Sequence, residues 1–205
     1  MKNFGILSLL LVLSLGIFAS CTDDEVTPTT VELTAEEKQD LLYMREEEKL
    51  ARDVYDYMYA KYSLNVFKNI GKSEQKHMDK LLVLINKYDL EDPVALSPEA
   101  GKFGNEDLQT LYDALIAKGD VSLEEALVVG ATIEDVDIFD LDNAIDKTNN
   151  ADILDAYANL NCGSRNHMRA FYGQLDALNI TYEAQYVSQI KLEEVLNGDH
   201  EQCGQ

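Results

Sequence analysis

Four segments of the chain repeat apolar residues every three or four positions, and each carries polar residues in the middle of that pattern. This spacing places the repeated residues on one face of a helix, the face that normally packs into a core. Burying an unpaired carboxylate costs several kcal/mol, so acids at these positions need a counter-charge. The central residues are Glu48, Glu74, His77, Glu134, Asp137, Ser164 and His167.

The same apolar faces carry few lysines or arginines, so a pair of metal ions is the simplest counter-charge. Glu74 and His77 are three positions apart, which places their Cβ atoms about 5–6 Å from each other on a helix, close enough to bind one ion together. Two divalent ions would balance the four central acids. Carboxylate and imidazole ligands without a thiolate favour iron or manganese over copper. Zinc, which usually takes a smaller ligand set, stays open.

Each candidate ligand has a structural alternative. Glu48 lies in a charged run, 45–49, that by default faces solvent, and a shift of the helical register would select Glu47 instead. His77 and His167 could be core histidines bonded to a carbonyl or a tyrosine hydroxyl. Glu134 competes with its acidic neighbours as part of an ordinary solvated face.

Three further alternatives concern residues around these candidates. Asp137 could be a ligand or an acceptor behind the ligands. Tyr55, one turn beyond the site on the first helix, could be plain core or a hydrogen-bonding and redox-active neighbour of the metal. Arginines could replace the metal altogether by pairing with the carboxylates; the candidates are Arg52, Arg165 and Arg169.

The periodicity and capping signals predict an all-α fold and give no run that alternates long enough for a strand. A capping-box pattern begins the first helix at Thr34, and matching Asn-x₇-His-Met patterns at Asn69 and Asn159 relate two helix pairs joined by a long crossover. The bundle is expected over 34–180, with a tail helix and C-terminus over 181–205. Expected helices are 34–62, 65–88, 105–118, 122–147, 149–178 and 181–196.

The N-terminus predicts an envelope protein. Residues 1–21 combine an early lysine, a short apolar run and a box ending at Cys21, which favours a lipoprotein signal with Cys21 acylated. A cleaved signal without lipid is the alternative. The polar stretch 22–33 predicts a flexible tether. The expected location is therefore the cell envelope, with a lipid anchor in the outer membrane on its periplasmic or surface-exposed side.

The formal net charge of −21 disfavours nucleic acid and a bare anionic membrane surface as partners. A homodimer is compatible with the composition. Cys162 and Cys203 would form a disulfide outside the cytoplasm if they lie close together; two separate thiols are the alternative.

These motifs resemble those of the ferritin-like superfamily of di-iron carboxylate four-helix bundles. The closest likeness is to an uncharacterised family of bacterial and archaeal ferritin-like domains, over about Thr34 to Leu178. The resemblance implies ligand roles for Glu48, Glu74, His77, Glu134 and His167. The residues that carry it are 44–55, 73–78 and 163–171.

The chain departs from the superfamily at Ser164, where a second Glu-x-x-His motif would have its glutamate. Asp137 is expected to compensate, as an extra acid on the third helix does in the rubrerythrin-like branch. Tyr55, seven residues after Glu48, matches a Glu-to-Tyr spacing of the superfamily and is the candidate catalytic residue. The resemblance implies a di-iron oxidase or peroxidase acting on dioxygen or peroxide. The alternative is a metal-sequestering or structural surface lipoprotein without turnover.

Overall fold

A computed structural model describes Met1 and residues 32–204. Contacts divide the chain into two units, Met1–Thr30 and Val31–Gln205, and all helices discussed below belong to the second. The proposed signal, Cys21 and all but the last two residues of the proposed tether lie outside the described residues, apart from Met1.

The described residues form seven helices and no strand, which confirms the all-α prediction. Four of the helices are long: α1, α2, α5 and α6. The bounds are α1 Ala35–Tyr62, α2 Asn65–Lys87, α3 Pro93–Leu96, α4 Glu106–Gly119, α5 Leu123–Lys147, α6 Ala151–Ala177 and α7 Gln189–Asn197.

Side-chain caps fix where three of the four long helices begin, whereas α2 has no side-chain cap. At the start of α1, Thr34 accepts from the Glu37 backbone N–H while the Glu37 side chain accepts from the Thr34 backbone N–H, so the predicted capping box is present. Ser122 caps α5 and Asn150 caps α6 in the same manner, each accepting from backbone N–H groups of the first turn. These caps satisfy donors that have no partner within the helix.

The four long helices pack in two pairs, α1 with α2 and α5 with α6, and further contacts join α2 to α6 and α1 to α5. Their apolar residues form two clusters. One includes Tyr55, Phe67 and Phe171, and the other includes Leu81 and Tyr157. Along each long helix, the predicted acids and histidines lie mainly between the residues of these two clusters, so apolar layers close off the polar layer on both sides.

The tail helix predicted over 181–196 is wrong in its first half, because α7 begins only at Gln189. The Asp135 carboxylate on α5 explains the difference. It accepts hydrogen bonds from the backbone N–H groups of Gln185, Tyr186 and Val187 and from the Tyr182 hydroxyl. The backbone of this segment is therefore bound to a buried acid instead of forming a helix.

The alternative in which the run 45–49 faces solvent does not hold, since all five residues are buried. The link before α4 covers them. Glu46 accepts from the Gly104 backbone N–H at 2.6 Å, and the Lys49 ammonium donates to the carbonyls of Glu99 and Lys102. Arg45 pairs with Asp92 at 3.0 Å.

Two further features concern the C-terminal segment and the composition of the helices. Cys162 and Cys203 are joined in a disulfide with their Cα atoms 5.7 Å apart, which attaches the C-terminal segment to α6. Within the part of the chain that the structure describes, no helix is long and apolar enough to cross a membrane.

Candidate metal centre

All four long helices contribute to one buried polar cluster at the level between the two apolar clusters. Each of its members is at most 9% exposed. The structure thus brings together the five residues to which the resemblance assigned ligand roles. They are Glu48 on α1, Glu74 and His77 on α2, Glu134 on α5 and His167 on α6.

The first half of the cluster consists of Glu48, Glu74 and His77. The His77 Nδ1 atom lies 2.8 Å from Glu74 Oε2 and 3.1 Å from Glu48 Oε2. One donor atom from each of the three residues falls within 4.8 Å of the other two.

The second half has the same composition and consists of Glu74, Glu134 and His167. The His167 Nδ1 atom lies 2.9 Å from Glu74 Oε1 and 3.4 Å from Glu134 Oε2. Its three donor atoms also fall within 4.8 Å of one another. Glu74 therefore belongs to both halves, with one carboxylate oxygen directed to each histidine.

His77 Nδ1 and Glu48 Oε2 form a hydrogen bond at 3.1 Å, but the other donor atoms are close and poorly oriented for hydrogen bonding to each other. Both oxygens of Glu74, Glu134 Oε2 and His167 Nδ1 lack a hydrogen-bond partner even though they lie near one another. Two ligands about 2.1 Å from one octahedral ion and at right angles to each other are about 3.0 Å apart. The observed separations of 2.8–3.4 Å agree with that value. Buried oxygen and nitrogen atoms that lack hydrogen bonds and have this spacing fit the ligands of two bound cations.

Electrostatics tie the histidines to the acids when no ion is bound. Burial opposes protonation of His77, but the charges of Glu48 and Glu74 raise its pKa to about 10. The pKa of His167 is likewise raised well above its usual value, against burial, by Glu74 and Glu134. Burial disfavours ionised Glu74, yet His167 and His77 lower its pKa below the usual range. When no ion is bound, the two imidazoles therefore supply the positive charge beside these carboxylates.

The two outer carboxylates differ in their surroundings. Burial raises the pKa of Glu48 to about 7, although attraction to His77 opposes the rise. Burial also raises the pKa of Glu134, and the Tyr55 hydroxyl donates to its Oε1 atom at 2.5 Å. Tyr55 is fully buried and thus orients the Glu134 carboxylate so that Oε2 faces His167.

Asp137 lies beside the cluster but outside both sets of three donors. It is 2% exposed, and neither of its carboxylate oxygens has a hydrogen-bond partner. Burial raises its pKa well above the usual range, and the charges of Glu48 and Glu47 add to the effect. Asp137 is therefore an additional buried acid beside the cluster.

The arginines do not serve as the counter-charge, because their described ion pairs are elsewhere. Arg52 binds Asp53 and Gln75, while Arg165 and Arg169 both bind Glu201. Among the described ion pairs, those of the three cluster glutamates are with histidines alone.

Ser164 stands where the resemblance would place a glutamate, and it is accommodated within α6. Ser164 is fully buried and its hydroxyl donates to the Leu160 carbonyl of its own helix. The His77 ring packs against the preceding residue, Gly163, which has no side chain. A Cβ atom at Gly163 would lie 2.6 Å from His77 Nε2. The sequence reasoning missed Gly163. A signal was available, since a glycine in the interior of a helix destabilises it and so indicates close packing.

Comparisons with known proteins agree with the extent of this fold. Residues 37–199 match the profile of an uncharacterized protein domain, DUF2202. The chain is 50% identical over 169 residues to the uncharacterized protein MJ0754 of Methanocaldococcus jannaschii, covering 82% of this chain and 91% of that protein. A crystal structure of the hypothetical protein MJ0754 from Methanococcus jannaschii superimposes with a TM-score of 0.82 at 49% identity, covering 83% of this chain and 97% of the other.

Proposed function

We propose that this chain, which belongs to the DUF2202 family, binds two divalent cations in a carboxylate and histidine centre. Iron is the proposed metal, with manganese as the alternative, and the proposed activity is that of a di-iron oxidase or peroxidase. The observation that supports it is the position of Glu74, whose two oxygens lie 2.8 and 2.9 Å from two histidines without a hydrogen bond.

The fold that we propose is a ferritin-like four-helix bundle. In such bundles, glutamates from two helices and Glu-x-x-His motifs from the other two project inward to bind a pair of metals. Two helix pairs and the long connection between α2 and α5, which contains α3 and α4, support this assignment. The chain differs in having one Glu-x-x-His motif, at Glu74 and His77.

Each residue has a proposed role at the centre. Glu74 would be shared by the two cations, while Glu48 with His77 and Glu134 with His167 would complete the two ligand sets. Tyr55 holds the Glu134 carboxylate through its hydroxyl hydrogen. The apolar residues on both sides exclude water, which strengthens the attraction between the acids and a bound cation.

Oxygen and nitrogen donors without a thiolate suit iron and manganese. When bound, a pair of ferrous ions would supply two electrons, one from each ion, to reduce one hydrogen peroxide and two protons to two waters. Asp137 lies outside both ligand sets, and burial raises its pKa well above the usual range, so it is the chain's own buried site for holding such a proton.

Metal content tests the centre. Protein purified without added metal would be assayed by elemental analysis, and metal-free protein would be titrated with Mn²⁺. We expect two ions per chain in the wild type and none in Glu74→Gln, because that variant loses the shared ligand. Asp155→Asn is the charge-matched control: its side chain is 80% exposed, so it should bind both ions. Equal binding by Glu74→Gln and wild type would exclude the centre.

Turnover is tested separately. Anaerobic protein loaded with two ferrous ions is mixed with hydrogen peroxide, and peroxide loss is followed with iron oxidation. Loss of one peroxide per two ferrous ions, faster than in Glu74→Gln, supports a peroxidase. Bound iron that does not react faster than free ferrous ion would instead favour a sequestering protein, and wild type without any metal would favour a structural one.

Attachment to the envelope through lipid on Cys21 is also a proposal, based on the sequence of residues 1–21. Mass spectrometry of the membrane fraction would detect an acylated N-terminal peptide beginning at Cys21. Recovery of the unmodified peptide, or an unchanged membrane fraction after Cys21→Ser, would refute the anchor.

A further inference from the structure

Acidic residues continue outward from the centre along the contact between α1 and α5. At the surface, α1 contributes Asp40 and α5 contributes Asp140, and both line an open depression of about 340 Å³. Tyr43 and Asn143 add oxygen and amide groups to the same depression. Its walls therefore offer mainly groups that can bind a hydrated cation.

A second, interior space lies closer to the centre. It is a cavity of about 10 Å³, the size of roughly one water molecule, and both Glu47 and Asp137 line it. The rest of its lining is mostly apolar and includes Leu50, Ile133 and Val136. Such a cavity admits one small guest at a time.

Three carboxylate oxygens of this inner cavity lack hydrogen-bond partners. Glu47 is 3% exposed and Asp137 is 2% exposed, yet Glu47 Oε1 and both Asp137 oxygens make no hydrogen bond. A buried polar group without a partner destabilises the fold, so its retention calls for a function.

Helical spacing connects the outer and inner groups. On α1, Glu47 comes one turn after Tyr43 of the depression and directly before Glu48. On α5, Asp137 of the inner cavity comes one turn before Asp140 of the depression. The order along the path is Asp40 and Asp140, then Glu47, then Asp137 and Glu48.

We propose that this path between α1 and α5 is the route by which divalent cations enter the centre, with Asp140 and Glu47 passing the ion inward. The inference rests on the proposed two-cation centre and adds the route to it. The cation loses water at the depression and is held next by the unpartnered oxygens of Glu47 and Asp137. Its last step is exchange onto Glu48, which neighbours Glu47 in the chain.

The rate of metal loading tests the route. Metal-free protein is mixed rapidly with Mn²⁺, and uptake is followed by competition with a fluorescent chelator; equilibrium titration gives the number of ions bound. Electrostatic focusing typically changes association rates by about 10-fold to 10³-fold. We therefore expect Glu47→Gln and Asp140→Asn each to slow loading about 10-fold or more while still binding two ions.

Two variants with changed surface charge serve as controls. Asp155→Asn removes a similar charge far from this path in sequence, on α6, and should load at the wild-type rate. Lys147 lines the depression and pairs with Glu36 at 3.5 Å, so Lys147→Gln should load faster than wild type. If Glu47→Gln fails to fold, Asp40→Asn combined with Asp140→Asn tests the outer half of the path.

The outcomes separate the two proposals. Wild-type loading rates in Glu47→Gln and Asp140→Asn, with two ions bound, would overturn the route and leave the centre intact. A rate reduction equal to that of Asp155→Asn would also overturn it. Failure of the wild type to bind Mn²⁺ at all would instead refute the centre.

Discussion

A methyl group added at Gly163 tests the geometry of the centre without changing any ligand. The Cβ of Gly163→Ala would lie 2.6 Å from His77 Nε2 and 2.7 Å from His77 Cε1. Non-bonded heavy atoms favour separations of about 3.5–4.0 Å, so the ring or α6 must move by roughly 0.9 Å or more to reach them.

Metal sites tolerate much less displacement than that, because ligand distances normally stay within about 0.2 Å of their ideal values. We expect the affinity of the ion shared by His77, Glu48 and Glu74 to fall about 10-fold to 100-fold, the range seen when groups that orient a ligand are changed. The ion beside His167 should be affected less, since a Cβ at position 163 would lie 3.8 Å from the nearest atom of that ring.

Gly173 provides the matched control on the same helix. A Cβ there would meet no atom within 4 Å, so Gly173→Ala should stabilise α6 by about 0.5–1 kcal/mol and leave binding unchanged. The assays are Mn²⁺ titration by calorimetry and thermal unfolding of metal-free protein. Folded Gly163→Ala that binds both ions with wild-type affinity would refute the placement of His77 against α6.

Three further predictions concern the rest of the molecule. Hydrogen bonding from Arg165 lowers the pKa of Glu201 to about 2, so Glu201 should stabilise the fold above its unfolded pKa of 4.5 and lose that effect as pH falls towards 2. The difference in melting temperature between wild type and Glu201→Gln should therefore shrink over that interval. Cys203→Ser opens a loop with a sequence separation of 41 residues and should lower the free energy of unfolding by about 2–4 kcal/mol in denaturant titrations. Tyr55→Phe leaves Glu134 Oε1 without its donor, which should destabilise metal-free protein by about 1–3 kcal/mol in melts while two Mn²⁺ ions still bind.

The four long helices and the five clustered donors could be predicted from the sequence because both depend on helical periodicity, whereas the short helix α3 was not predicted. Glu48 was distinguishable from Glu46 and Glu47 only by its place on the apolar face of α1, and the structure places it against His77. The position of Glu74 between two histidines could not be predicted, because it depends on the distance between α2 and α6. That distance is set by packing, including the space at Gly163.

The error in the tail helix and the failure of the solvent-facing alternative for 45–49 have one physical origin, which is contact with residues distant in the sequence. The run 45–49 reads as a solvated turn until the link before α4 is placed over it, about fifty residues later. The first half of the predicted tail helix is lost because Asp135, also about fifty residues away, binds its backbone N–H groups. Local periodicity carries no information about either contact.

The two halves of the proposed centre are alike in their candidate ligands and unlike in their surroundings. A single Glu-x-x-His motif would be sufficient for both, because one oxygen of the Glu74 carboxylate lies near His77 and the other near His167. A glutamate at position 164 would then not be needed, and the serine there is bonded within its own helix. The additional acid is Asp137 on α5, which lines the inner cavity together with Glu47. The proposed entry route would therefore reach the centre beside an acid outside both ligand sets, while Tyr55 holds the Glu134 carboxylate by a hydrogen bond.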